Sequence, residues 1–297
     1  MDPVNDVKTI AEAGGTVLSG SSKFMDSLLK LLPGLAVASE ARGVARASTI
    51  MLDTIEETIN RCRKMRLPQE TADAMCVMVA NEFGKSENLS SCLSFARDVV
   101  GDDFDASGID HGWFLKWSGH ASEQCDDEMR VIWGKLLAGE LEQPGTYTKR
   151  AMSILSDMSR DEALIFSKLC SVSIFVNPQG NRSLIAVLRK DNADGGTYNN
   201  GLIKVEDLDT LSSLGLITTM TWNSQHLSGN QLALIEVNGQ LFPMKNPSEG
   251  ERTVTFSQMR YLKEGLILST LCEVGSYEHL PRIVDEVMTA SGLVNHL

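Results

Sequence analysis

One stretch constrains this fold more than any other. From Gln124 to Glu142, Met129, Ile132, Trp133, Leu136, Leu137 and Glu140 recur at i, i+3, i+4 and i+7. That spacing places them on one face of an α-helix that must bury itself against other elements. Asp126, Asp127 and Glu128 load its first turn with negative charge, opposite the positive end of the helix dipole. Pro144-Gly145 stops it. The neighbours follow the same grammar. Asp110 is placed to cap a helix bearing Trp113, Phe114 and Trp117, and Thr148 to cap one that turns Met152 and Leu155 inward. Ser159-Arg160-Asp161-Glu162 reads as a capping box before Ala163-Leu164-Ile165-Phe166. Residues Asp110 to Leu169 therefore predict four helices joined by short turns.

Before this cassette the chain also reads as helical. A pair of short helices is expected between Lys8 and Leu32, broken at Gly14-Gly15 and Gly20-Ser21-Ser22. A longer one runs from Ala41 to Met65, with Val44, Ile50, Met51, Ile55 and Ile59 in helical register. It closes on a basic cluster, Arg61, Arg63, Lys64 and Arg66, where positive charge suits the dipole. Pro68 opens a helix expected to reach Phe83, and Glu87 to Val100 a further one, before the acidic break at Gly101 to Asp105.

After Cys170 the pattern changes. Val172 to Val176 and Leu184 to Leu188 are apolar, β-branched runs typical of strands, and Asp191 to Asn200 is a polar loop. Lys204 to Ser213 predicts a short acidic helix ended at Gly215, followed by a strand from Leu216 to Trp222. Leu232 to Val237 and Gln240 to Met244 flank Asn238-Gly239, the signal of a type I′ hairpin. Ser257 is expected to start a helix containing Met259, Leu262, Leu266, Ile267 and Leu271, and a last helix covers Leu280 to Met288. Short helix, Gly-Leu-Ile strand and hairpin is the order of a winged helix. The expected fold is α+β and predominantly α-helical. Residues 1–105 form an N-terminal helical region, 106–170 the central cassette, and 171–297 a small winged-helix-like domain.

Charge limits the partners. The net charge is −12 and the pI near 4.9, so a general role in coating DNA or RNA is disfavoured: phosphate binding needs Lys and Arg to displace counterions. Six cysteines stand singly, without a CxxC pair or a histidine at metal-ligand spacing, as expected of reduced, mostly buried thiols in the cytoplasm. No basic region followed by an apolar run marks an export signal at the N-terminus. The greasiest segment, Ser27 to Ala38, contains Lys30 and Pro33 and is too short to span a bilayer, which takes about 20 apolar residues. Phe24, Leu28, Leu31 and Leu32 would form either a core stripe or a face lying on a membrane surface.

No pattern of reactive side chains points to an enzyme. Glu123, Asp126, Asp127 and Glu128 lack the alternating ligand positions of a calcium loop and read as dipole complements, so no metal is expected. His111 stands beside Asp110, yet no GxSxG motif or placed nucleophile accompanies it. Neither Gly14-Gly15 nor Gly195-Gly196 belongs to a phosphate-binding loop, and no cofactor is expected.

The segment carrying Asp110, Trp113, Met129, Trp133, Leu136-Leu137-Ala138-Gly139-Glu140, Pro144-Gly145 and Ser159 resembles the hallmark region of an uncharacterised bacterial family known only as a domain of unknown function. Its Trp–Leu-Leu-Ala helix is also similar to one in the abortive-infection alpha proteins of phage defence. The chain departs from the family pattern at Tyr147-Thr148, where a Phe-Ser pair is commoner, and in the longer loop at Asp191 to Asn200. The resemblance implies bacterial or prophage origin and a defence role, and no known reaction. Read as residues, Trp133 and Leu137 are core, Glu140 accepts hydrogen bonds near the Pro-Gly turn, and Gly139 permits close helix approach. The interaction or structural motif thus comprises Asp110, Trp113, Trp133, Glu140, Pro144 and Gly145. The leading expectation is a non-enzymatic defence or regulatory protein acting through a protein partner, itself or another defence component. A nucleic-acid-binding regulator would instead use Arg42, Arg46 and the Arg61 to Arg66 face. A membrane-acting effector would use the Phe24 to Ala38 stripe.

Overall fold

The computed structural model describes residues 28, 44–101, 103–177, 183–191, 196–218 and 221–295. The predicted helices of residues 8–32, the apolar stripe apart from the buried Leu28, Arg42, the Arg46 side chain and the tip of the 191–200 loop lie outside the described residues. Two compact units meet at Thr146/Tyr147, so the boundary falls within the segment read from sequence as one cassette.

The first unit is all-helical. Helix α1 (Val44–Lys64) and α2 (Gln69–Val100) are joined by a tight turn at Arg66, whose φ of 57° is left-handed. Helix α2 is one continuous element of 32 residues, about 48 Å long, where the sequence suggested two. Gly84 lies mid-helix with nothing near its would-be Cβ, so the break expected there does not form. The roughly 1 kcal/mol that an internal glycine costs is offset because both halves of α2 have packing partners. The first half leans on α1, with Ala72 and Cys62 buried and the Cys62 Sγ 3.6 Å from Met75 Sδ. The second half buries Asn88, Cys92, Leu93 and Ala96 and packs against α3 (His111–Ser122) and α4 (Asp127–Glu142).

A close helix contact is made at Gly134. A Cβ added at Gly134 would lie 2.5 Å from Phe95 Cβ and 2.9 Å from the Cys92 carbonyl oxygen. Gly134→Ala is therefore expected to force α4 away from α2 at a cost of about 1–3 kcal/mol, read as a lower denaturant midpoint for the α2–α4 amides in hydrogen exchange.

The second unit starts with α5 (Lys149–Asp157) and α6 (Arg160–Ser171), then turns to strand. Strands β1 (Ser173–Val176), β2 (Ser183–Val187), β5 (Thr221–Leu227), β6 (Leu232–Val237), β7 (Gln240–Lys245), β8 (Arg252–Arg260) and β9 (Val294–Asn295) form one sheet in the order β5-β8-β2-β1-β6-β7-β9. Every pairing in it is antiparallel. A two-stranded ribbon of β3 (Thr197–Tyr198) and β4 (Ile203–Lys204) precedes helix α7 (Val205–Ser213). Helices α8 (Lys263–Ser269) and α9 (Leu280–Ala290) complete the unit.

Helix α7 and the β6–β7 hairpin are present, but the strand expected from Leu216 does not start there: β5 begins at Thr221, and the hairpin is embedded in this larger sheet. Ile217 makes one bridge to Tyr261, and the β6–β7 hairpin is an integral part of the seven strands. Its turn has φ of 49° at Asn238 and 73° at Gly239, the double left-handed pair of a type I′ turn. The helix expected from Ser257 is absent: Ser257 to Arg260 belong to β8, and the helix begins only at Lys263. Thr253, Val254, Thr255 and Phe256 favour extended chain, and β8 gains hydrogen-bonded partners on both sides, β5 and β2.

One sheet face is covered by α9. Ile174, Val176, Ile185, Val187, Ala233, Ile235, Val237 and Met244 meet Leu280, Ile283, Val284 and Met288 there. At the β1–β2 end of the other face, Ser173 and Ala186 are also fully buried, close to Tyr261, itself in edge contact with Phe166 of α6.

Candidate functional site

Asp110, Trp113, Trp133, Glu140, Pro144 and Gly145 all fall in the helical unit. Each does local structural work. Asp110 is the N-cap of α3, its carboxylate accepting the Trp113 N–H at 2.7 Å. Capping fixes where the helix starts, so Trp113, Phe114 and Trp117 all point into the core. Phe114 and Trp117 stack at 5.5 Å. The Trp117 Nε1 donates across to the Trp133 carbonyl at 3.1 Å, tying α3 to α4.

Trp133 is fully buried on α4, tilted against the His120 ring at 5.6 Å. Its Nε1 has no hydrogen-bond partner, the one orphaned buried side-chain polar atom among the described residues. Glu140, on the next turns of the same helix, is 2% exposed, and its Oε1 accepts the Gly145 N–H at 2.7 Å. Gly145 has φ of 89°, a backbone that L side chains avoid. The carboxylate thus clasps the turn that ends α4. Pro144 closes the same corner, its Cγ 3.5 Å from where a Gly108 Cβ would stand.

A second network, not singled out by the sequence pattern, locks the turn before α4. Asp126 caps the helix through the Glu128 and Met129 N–H groups. Arg130 reaches back to the carbonyls of Gln124 and Cys125 and donates to Asn88 Oδ1 at 2.8 Å, while the Asn88 amide donates to the Ser122 carbonyl. An asparagine facing an arginine 42 residues away has no sequence signature.

The basic cluster sits at the C-terminus of α1. Arg61 pairs with Glu57 at 2.6 Å, and Arg63, Lys64 and Arg66 are exposed. The depression beside it is lined by Asp53, Glu56, Glu57, Asn60, Arg61 and Lys64, so carboxylates outnumber cations there. That depression by itself does not gather phosphate, whereas Arg63 and Arg66 lie outside its lining. His111 is exposed at the start of α3. Among the described residues no group of three or more His, Cys, Asp or Glu side chains could hold a metal ion. No helix among them is long and apolar enough to cross a membrane.

The thiols differ in environment. Burial pushes the Cys92 thiol up to about 12, with the Arg130 charge opposing it only in part, whereas Cys125 is exposed. At mildly alkaline pH iodoacetamide should therefore modify Cys125 of the native chain well before Cys92, as peptide mass mapping would show; equal rates would contradict the packing of α2 on α4.

Comparison with known proteins adds one match. A family model described as "Protein of unknown function (DUF2806)" covers residues 78–279, more than half of the chain. Searches of curated proteins and of solved structures find no match.

Proposed function

We propose that this chain, which belongs to the DUF2806 family, is a non-enzymatic phage-defence or regulatory protein that works in the cytoplasm by contacting another protein. The observation that carries the reading is the uncovered face of the sheet at β6, β7 and β9. Cross-strand register sets Lys245 between Leu232 and Val294, and Leu241 beside Glu236. Leu232, Leu241 and Val294 are 44%, 47% and 46% exposed, with Leu234 and Pro243 half-buried between them. Exposed apolar side chains interleaved with Lys245 and Glu236 are what a protein contact uses. With a net charge of −12, the chain favours a partner that presents an apolar surface flanked by basic side chains.

The likeness of the Trp133 to Ala138 helix to abortive-infection alpha proteins turns the reading toward phage defence. The winged-helix-like reading of α7 and the β6–β7 hairpin belongs to the same proposal, as a protein-contact module. Helix α7 carries Glu206, Asp207 and Asp209, charges that a DNA-reading helix would not present to phosphates.

The test is capture from phage-infected bacteria with full-length protein, identification of the partner, and repetition with the purified partner. Binding that is lost on Leu241→Asp supports the proposal. Nuclease, NAD-cleaving or nucleotide-hydrolysing turnover by the isolated chain overturns it. The exposed Arg63, Lys64 and Arg66 favour the alternative of a nucleic-acid-binding regulator. That alternative fails if DNA binding near physiological salt is no stronger than for unrelated acidic proteins. The membrane-effector alternative rests on residues outside those described, and liposome flotation without association removes it.

A further inference from the structure

Helix α1 has two faces of opposite character. Met51, Ile55 and Cys62 are buried on the side that packs against α2. The opposite side carries Asp53, Glu56, Glu57, Asn60, Arg61 and Lys64, which also line the depression beside the basic cluster. Asp53, Glu57, Asn60 and Lys64 follow one another at i, i+4, i+7 and i+11, one stripe down the helix, with Glu56 and Arg61 on its two flanks. All six are exposed. Ile50, one turn before Asp53, extends the stripe with an apolar side chain that is 42% exposed. The first half of the stripe is acidic and the second half basic.

That order is self-complementary. A two-fold axis perpendicular to the helix at the Thr58–Ile59 step lays a second α1 antiparallel on the first, and a symmetric contact of this kind makes every pairing twice. Asp53 then faces Lys64 of the second copy, Glu57 faces its Arg61, and Glu56 its Asn60, so a carboxylate meets a cation or an amide at each level. A parallel pairing would set Asp53 on Asp53 and Lys64 on Lys64 instead. Arg61 already pairs with Glu57 of its own chain at 2.6 Å, yet the two side chains stay 74% and 63% exposed. That leaves the carboxylate free to take a second guanidinium. Two chains of net charge −12 repel one another as wholes, so they meet best where the local charge is balanced. Here three carboxylates stand against two cations and an amide.

We propose that a second copy of this chain docks antiparallel on the Asp53 to Lys64 face of α1, giving a two-fold dimer held by reciprocal ion pairs. Exposed ion pairs are individually weak and screened by salt, so this is a reversible, salt-sensitive association. The surface lies in the helical unit, and the proposal does not depend on the β6, β7 and β9 face offered to another protein.

The experiment follows the full-length chain by sedimentation equilibrium at low and high salt. The expected result is a dimer at low ionic strength that dissociates in about 1 M NaCl, where the Debye length falls to about 3 Å. Asp53→Lys and Lys64→Glu should each weaken dimerisation about tenfold, because the axis counts the pair twice and reversal makes it repulsive. The two combined should restore the wild-type affinity. Residues 53 and 64 stand about 16 Å apart along one helix, so that rescue can arise only between chains. For the same reason a zero-length carbodiimide cross-link from Asp53 to Lys64 should appear only in the wild-type dimer, a measurement that decides the matter even if a variant fails to fold. The proposal is overturned by a chain that stays monomeric at every concentration in low salt, or by a dimer that lacks this cross-link. A dimer that both single reversals leave intact, or that the double reversal fails to restore, overturns it too and places the contact on another face.

Discussion

Trp133→Ala is expected to destabilise the helical unit by about 3–5 kcal/mol, enough to collapse the hydrogen-exchange protection of α2 and α4. Trp133 is fully buried where α4 meets His120 of α3, and truncation would leave a void in a region already fixed by the Gly134 contact. The α3–α4 bond from Trp117 ends on the Trp133 carbonyl, so movement of α4 into the void would cost that bond too. Amide exchange is the measurement to use, because a single denaturation midpoint for a chain of two units mixes their stabilities. A paired comparison sharpens the test. Trp133→Phe removes an indole N–H that has no partner, whereas Trp117→Phe removes one that is satisfied. Trp117→Phe should therefore be the costlier of the two by about 1 kcal/mol; the reverse order would place an unseen acceptor beside Trp133.

Glu140→Ala should cost about 2–4 kcal/mol, because it strips the acceptor from the Gly145 N–H and empties a buried site. Glu140→Gln keeps an acceptor oxygen and should cost about 1 kcal/mol. The graded loss is what a turn clasp predicts. A Glu140 that served a partner or substrate would behave differently, with Gln and Ala equally deficient in function at temperatures where both remain folded.

What was legible in the sequence was local. Asp110, Thr148 and Ser159 all cap helices as read, because a cap needs only a short polar side chain within three residues of the N–H it accepts; Asp126, read as a first-turn charge, is the cap itself. The bond from Gly145 to Glu140 spans five residues, and the Asn238-Gly239 hairpin is set by its own two dihedrals. The features that escaped depend on distant chain. Gly84 looked like a break because nothing nearby reveals that α1, α3 and α4 hold both halves of α2 in line. Met259, Leu262 and Leu266 have helical spacing, yet β8 is a strand because β2 and β5 stand ready on either side. In the candidate site the side-chain roles were readable at Asp110 and Glu140, whereas Asn88 and Arg130 became visible only once α2 and α4 were side by side.

The place of α9 has a consequence for where this chain can be cut. The matched segment starts at Met78, within α2, and ends at His279, immediately before α9. Yet Leu280, Ile283, Val284 and Met288 pack on one face of the sheet, and Val294 pairs with Lys245 of β7. Excising residues 78–279 would uncover that face and cut α2 through its first half. In this chain the matched segment alone would leave that sheet face open, so residues 280–295 belong to the folding unit although they lie beyond the match.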